Sequence, residues 1–92
     1  MNETIAGAIL QKRRLCFTYN GRMRLVEPQC YGVGTNGIEL LRAHQILGGD
    51  AREPLFEVRK IRDLQVLQDA FERPGPNYRK NDSAMLVIFC QL

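Results

Sequence analysis

The chain contains a single histidine, His44, and three cysteines, Cys16, Cys30 and Cys90, with no CxxC pair and no Cys/His cluster. A structural zinc site requires about four such ligands at close spacing, so it is excluded, and no metal or other cofactor is expected. An odd number of widely spaced cysteines argues against disulfide scaffolding and for small thiols in a reducing compartment. No charged-then-apolar leader opens the sequence, and the longest apolar run, Ala84 to Cys90, is too short to span a bilayer. A cytoplasmic protein with no membrane contact is the expectation. Catalytic signatures are equally scarce. There is no HExxH and no glycine-rich strand-to-helix phosphate loop; Gly32-x-Gly34 has no helix behind it and reads as turn chemistry. Nothing in the spacing ties Cys16 or Cys30 to His44 as nucleophile and base, so an enzyme is not expected.

What is present fits one small domain. A length of 92 residues leaves room for a single modest core, and 45% hydrophobic with 25% charged residues is a globular balance. The net charge is only +3, yet ten of the thirteen basic residues are arginine. Arginine is the side chain suited to bidentate phosphate contact and to stacking on bases, so the composition leans towards an anionic partner.

The hydrophobic period changes early. Asn2 can cap a helix whose apolar face carries Ile5, Ala8 and Ile9, and Gln11 to Arg14 would close it with cations at the negative end of the dipole. From Leu15 the period is two: Leu15, Phe17 and Tyr19 alternate with Cys16 and Thr18, and Asn20-Gly21 is a strong hairpin signal. A two-residue loop sets Tyr19 opposite Arg22, Phe17 opposite Arg24 and Leu15 opposite Val26, with the return strand running to Glu27-Pro28. Thr35-Asn36-Gly37 turns into a strand over 38–46 whose faces carry Leu41 and Ala43 on one side and Leu40, Arg42 and His44 on the other. A loop from Leu47 to Pro54 follows. The next strand begins at Leu55-Phe56 and continues, with a bend near Lys60, to Leu67. Arg73-Pro74-Gly75-Pro76 stops it, Tyr78 to Ser83 is a polar linker, and Met85 to Phe89 reads as the last strand. One helix followed by five or six tightly connected strands predicts a mainly β, strongly bent antiparallel sheet of small-barrel type.

In its order of residues the chain resembles the WYL-domain family. The resemblance runs through Ile5, Ala8-Ile9, Arg13, Phe17-x-Tyr19, Gly21, Arg24-x-Val26-Glu27-Pro28, Gly37-x-x-Leu40-Leu41-x-Ala43, Phe56-x-Val58-x-Lys60-Ile61, Phe71 and Pro74. It implies a single domain over 1–92: an N-terminal helix (1–14), Sm-like or SH3-like barrel strands (15–72), a linker (73–83) and a C-terminal strand (84–92). It also implies a regulatory binding role beside a DNA-binding domain, sensing nucleic acid or a nucleotide-like ligand through basic and aromatic residues. The pattern departs from the family at three places. Glu39-Leu40-Leu41 stands where the Trp-Tyr-Leu run belongs, Pro54 replaces an arginine, and Arg59-Lys60-Ile61 replaces Asp-Arg-Ile. No helix-turn-helix precedes the first helix, so a DNA-binding output would have to come from a separate partner protein.

Five residues are the candidate ligand contacts: Tyr19, Arg24, Arg42, His44 and Lys60. Arg24 shares a strand face with Phe17 and Val26, so it must reach the rim, pair with an acid such as Glu27 or Glu57, or meet an anionic ligand. Tyr19 beside the turn can stack a base or pack against its neighbours. Arg42 and His44, two apart on one face, form either a phosphate clamp or a solvated surface. Lys60, in the basic run with Arg59 and Arg62, is the direct counterpart of the family's basic position. Arg13 and Arg14 are explained by the helix dipole. The expected partner is single-stranded nucleic acid or a nucleotide-like ligand. The flat, uncharged 84–89 segment supports a second reading, an interaction module that assembles as a homo-oligomer through sheet edges, or else a strand that completes its own barrel.

Overall fold

One long strand organises the molecule, whose computed structural model describes residues 1–92. Before it comes helix α1 (Glu3–Leu10), where the Asn2 side chain accepts a hydrogen bond from the Ile5 N–H at 3.1 Å and Ile5, Ala8 and Ile9 are buried. The helix is shorter than the expected 1–14. Lys12 turns the backbone into the left-handed region at φ 53°, and β1 (Arg13–Tyr19) starts immediately afterwards. The strand period therefore captures Arg13 and Arg14, which do not cap the helix. Arg14 instead donates to the Glu27 carboxylate at 2.9 Å.

β1 pairs with β2 (Arg22–Val33) in the expected register, Leu15 with Val26, Phe17 with Arg24 and Tyr19 with Arg22. Asn20 and Gly21 sit at φ 51° and 77°, the two positive values that a two-residue hairpin loop needs to match the strand twist. β2 continues well past Pro28, where the sequence signal stops. A register shift against β3 (Glu39–Leu47) lies between Pro28 and Cys30, and such a bulge accommodates a residue that has no N–H to donate. Every residue from Val26 to Gly32 is buried, so this half of β2 is covered on both faces.

β4 (Leu55–Glu57) pairs with β3, and β5 (Arg62–Ala70) pairs with β1. The bend foreseen near Lys60 is a 3-10 turn, Val58–Lys60, that divides the expected single strand in two. The sheet order is β4-β3-β2-β1-β5, so consecutive strands occupy the two ends of the path. That one short turn can join them shows how strongly the open sheet is bent. All six strands are antiparallel. The last, β6 (Val87–Gln91), pairs with β2 from Cys30–Gln91 to Val33–Val87, completing the chain's own sheet. Gly32 is what lets it approach: a Cβ there would lie 2.1 Å from the Val87 carbonyl oxygen. Its role is close strand packing and not the turn chemistry expected of Gly32-x-Gly34.

The core gathers Ile5 and Ile9 from the helix with Leu15, Phe17, Val26, Tyr31, Leu41 and Phe56 from the sheet. Phe17, Tyr19 and Phe56 meet edge to face, with ring centroids 4.9–6.4 Å apart. No helix is long and apolar enough to cross a membrane.

Candidate anion-binding site

Four of the five candidate contacts fall on two faces of the sheet, and the fifth, Lys60, ends the 3-10 turn after β4. Tyr19 and Arg24 belong to the inner, aromatic side. The Arg24 guanidinium carbon lies 5.6 Å from the Tyr19 ring centroid and 5.9 Å from that of Phe56. One terminal nitrogen donates to the Gln45 side-chain oxygen at 3.1 Å and the other to the Tyr19 carbonyl at 3.0 Å. No acid answers it: neither Glu27 nor Glu57 is its partner, and its Nε is buried without an acceptor. Cation–π attraction and neutral acceptors hold this guanidinium instead. Tyr19 is 9% exposed and its hydroxyl accepts from the Glu57 N–H, so its ring is core packing and not a stacking platform. Lys60 pairs with Glu57 at 2.6 Å, which raises the lysine's pKa and lowers that of the carboxylate.

Arg42 and His44 project from the other face of β3. Their strand neighbours Leu41, Ala43 and Gln45 are buried, and Gln45 is the residue that reaches Arg24. His44 Nδ1 lies 3.2 Å from the Glu27 carboxylate, which also holds Arg14. Arg42 donates to Asp82 at 2.8 Å and to the Glu53 carbonyl at 3.0 Å. Arg24 on one side, and Arg42 with His44 on the other, therefore do not converge on a common concavity.

A concavity does form around Arg42. The connection between β5 and β6 folds back over the outer face of β2 and β3, and its anchor is Gln29, which is wholly buried. The Gln29 amide nitrogen donates to Glu53 at 2.9 Å, while its oxygen accepts from the Gly75 N–H. The other Glu53 oxygen accepts from the Asn77 N–H at 2.6 Å. These bonds leave a cavity of about 540 Å³ between the β3–β4 loop and this connection, lined by Arg42, Arg52, Glu53, Tyr78, Arg79 and Asp82 among others. Arg52 and Arg79 take part in none of the chain's ion pairs. Two cations thus face the cavity uncommitted.

Asp82 is the acid best held in this wall. Burial alone would raise its pKa, but the hydrogen bonds from Arg42 and the Ala84 N–H, with the charge of Arg42, hold the carboxyl below its usual range. A carboxylate depressed on folding stabilises the fold above its unfolded pKa, and that contribution is lost as the pH falls through its folded value. Arg42→Ala should therefore cost about 1–2 kcal/mol at pH 7, with the deficit shrinking below about pH 4. Urea titrations across pH check this, and a deficit independent of pH would refute it. Cys30, next to Gln29 in β2, is buried. Burial, followed by the nearby Asp82 charge, pushes its thiol up to about 11, and its sulfur lies 3.5 Å from that of Met85.

Of the five sequence candidates, only Arg42 lines this cavity. Arg52 was hidden in a loop and Arg79 in a polar linker, where charge carries no period to read. The one available signal was the arginine excess itself. No protein-family model, curated protein or solved structure matches the chain.

Proposed function

We propose that the chain is a non-enzymatic binding module for a nucleotide-like anion, of the WYL-like kind its sequence resembles, with the ligand in the Arg42–Arg52–Arg79 cavity. The observation that carries this reading is the pair of unpaired arginines on a cavity of about 540 Å³, a volume within the range of small-molecule sites. A nucleic-acid strand is supported less well. Binding a single strand calls for a series of exposed aromatic platforms, and of the four Phe and three Tyr together five are buried: Phe17, Phe56, Phe71, Tyr19 and Tyr31. Calorimetric titration with adenosine 5′-monophosphate should detect binding that weakens with salt, as counter-ions are released. Removing both arginines (Arg52→Ala with Arg79→Ala) should weaken it by at least about tenfold, the low end for lost charged phosphate contacts. If neither nucleotides nor oligonucleotides bind at low salt, the proposal is wrong.

A second reading, homo-oligomerisation through a sheet edge, rests on β6. Leu86, Val87 and Phe89 are 72%, 51% and 39% exposed, and no charged residue occurs from Ala84 to Leu92 to discourage strand addition. Val87→Lys should then reduce the mass found by analytical ultracentrifugation. A wild-type chain that sediments as a monomer at high concentration removes this reading.

A further inference from the structure

The cavity wall is rich in free donors and poor in free acceptors, and that imbalance specifies the kind of anion. Both of its carboxylates already accept hydrogen bonds at each oxygen, and although Glu53 is in no ion pair, the three arginines of the wall outnumber them. Asp82 accepts from Arg42 through both oxygens, at 2.8 and 3.5 Å, and from the Ala84 N–H at 2.9 Å. Glu53 accepts from Gln29 and from the Asn77 N–H, one at each oxygen. Tyr78 spends its hydroxyl proton on the Leu92 carbonyl at 2.6 Å. Arg42 is spent as well, its three nitrogens shared between Asp82 and the Glu53 carbonyl. It frames the site and does not reach into it.

The Arg52 and Arg79 guanidinium groups remain, with the Ser83 hydroxyl on the same wall. Each guanidinium offers a planar fork of donors that matches two oxygens. Two forks and a hydroxyl together ask for more acceptors than a carboxylate or a phosphodiester presents, since each has two charged or non-bridging oxygens. A terminal phosphate has three, and carries close to two negative charges at neutral pH. Arg52 and Arg79 also come from different segments, the β3–β4 loop and the β5–β6 connection, so one tripodal group can engage both. A chain-internal phosphate would have to continue out of the cavity in two directions.

Resting on the anion-binding reading above, we infer that the cavity selects a phosphomonoester: a mononucleotide or sugar phosphate held by its terminal phosphate between Arg52 and Arg79. The rest of the ligand occupies the remaining volume beside Tyr78. Calorimetric titrations of the full chain with inorganic phosphate, ribose 5-phosphate, adenosine 5′-monophosphate, adenosine 3′,5′-cyclic monophosphate and adenosine test this. The 5′-monophosphate and ribose 5-phosphate should bind at least about tenfold more tightly than the cyclic diester, with adenosine not binding. Affinity for the monoester should rise between pH 5.5 and 7.5, as its second proton leaves near about pH 6, while any binding of the cyclic diester stays flat. Arg52→Ala and Arg79→Ala should each remove the monoester preference. Both side chains are exposed and unpaired, so an unchanged circular dichroism spectrum is expected of each variant. Equal affinity for the cyclic and 5′ nucleotides, or a preference that survives both substitutions, overturns this inference and leaves the anion-binding reading intact. Absence of binding by all five probes and by oligonucleotides overturns both.

Discussion

Gly32→Ala should detach strand β6 and cost about 3 kcal/mol or more. Overpacking by a methyl group ordinarily costs about 1–3 kcal/mol because side chains can shift rotamer, but here the obstacle is main chain. The new Cβ would meet the Val87 carbonyl oxygen at 2.1 Å and the Ile88 Cα at 3.0 Å. Only movement of the strand itself relieves that. The Leu86 N–H to Val33 carbonyl bond and the Leu92 N–H to Gln29 carbonyl bond, 2.8 and 2.9 Å long, would then be lost together. Hydrogen exchange at residues 86–92 should accelerate more than in β1, alongside a lower urea midpoint. An unchanged midpoint with protected β6 amides would show that Gly32 is not where the two strands meet.

Phe56→Ala should be comparably severe, at about 3–5 kcal/mol, the range for truncating a buried aromatic. Phe56 is 1% exposed and meets Phe17 and Tyr19 edge to face at 5.0 and 4.9 Å. It is also one of only three residues in β4, so the cavity it leaves undermines a strand with few other anchors. The loss falls on Arg24 too, whose guanidinium lies over both Phe56 and Tyr19 without a carboxylate partner. Phe56→Leu, which refills most of the volume but supplies no ring, separates the two effects. It should recover part of the stability while leaving Arg24 with one aromatic face. Denaturant unfolding of both variants checks this, and a loss below about 1 kcal/mol for Phe56→Ala would show that the ring is not core.

Local rules made the β1–β2 hairpin readable down to its register, because Asn20-Gly21 and the Leu15/Phe17/Tyr19 alternation agree with each other. The same rules separated the faces of β3, placing Leu41 and Ala43 opposite Arg42 and His44. They failed where tertiary structure overrode a local signal. Pro28 reads as a stop, but a bulge absorbs it and β2 runs on to Val33. Arg13 and Arg14 read as helix-dipole cations, but the strand takes them and Glu27 pairs with Arg14. The fate of Arg24 was half legible: its place on an aromatic face followed from the period, whereas its neutral partners Gln45 and the Tyr19 carbonyl did not. The cavity was least visible of all. It depends on Gln29, an unremarkable polar residue in the sequence that becomes a wholly buried tie between β2, Glu53 and Gly75.

The pairing of β2 with β6 also sets an order of assembly. The β1–β2 hairpin closes through two residues, so its loop costs little entropy and it can form within microseconds. Cys30 and Gln91, by contrast, are far apart in the sequence, and their pairing must wait for the long loop between them to close. Until then, the Cys30–Val33 end of β2, which lies beyond the part paired with β1, presents to β6 an uncovered edge with no charge upon it. The late strand is therefore a guard against misassembly as well as a structural element: conditions that slow its arrival should favour aggregation from a chain whose hairpin has already formed.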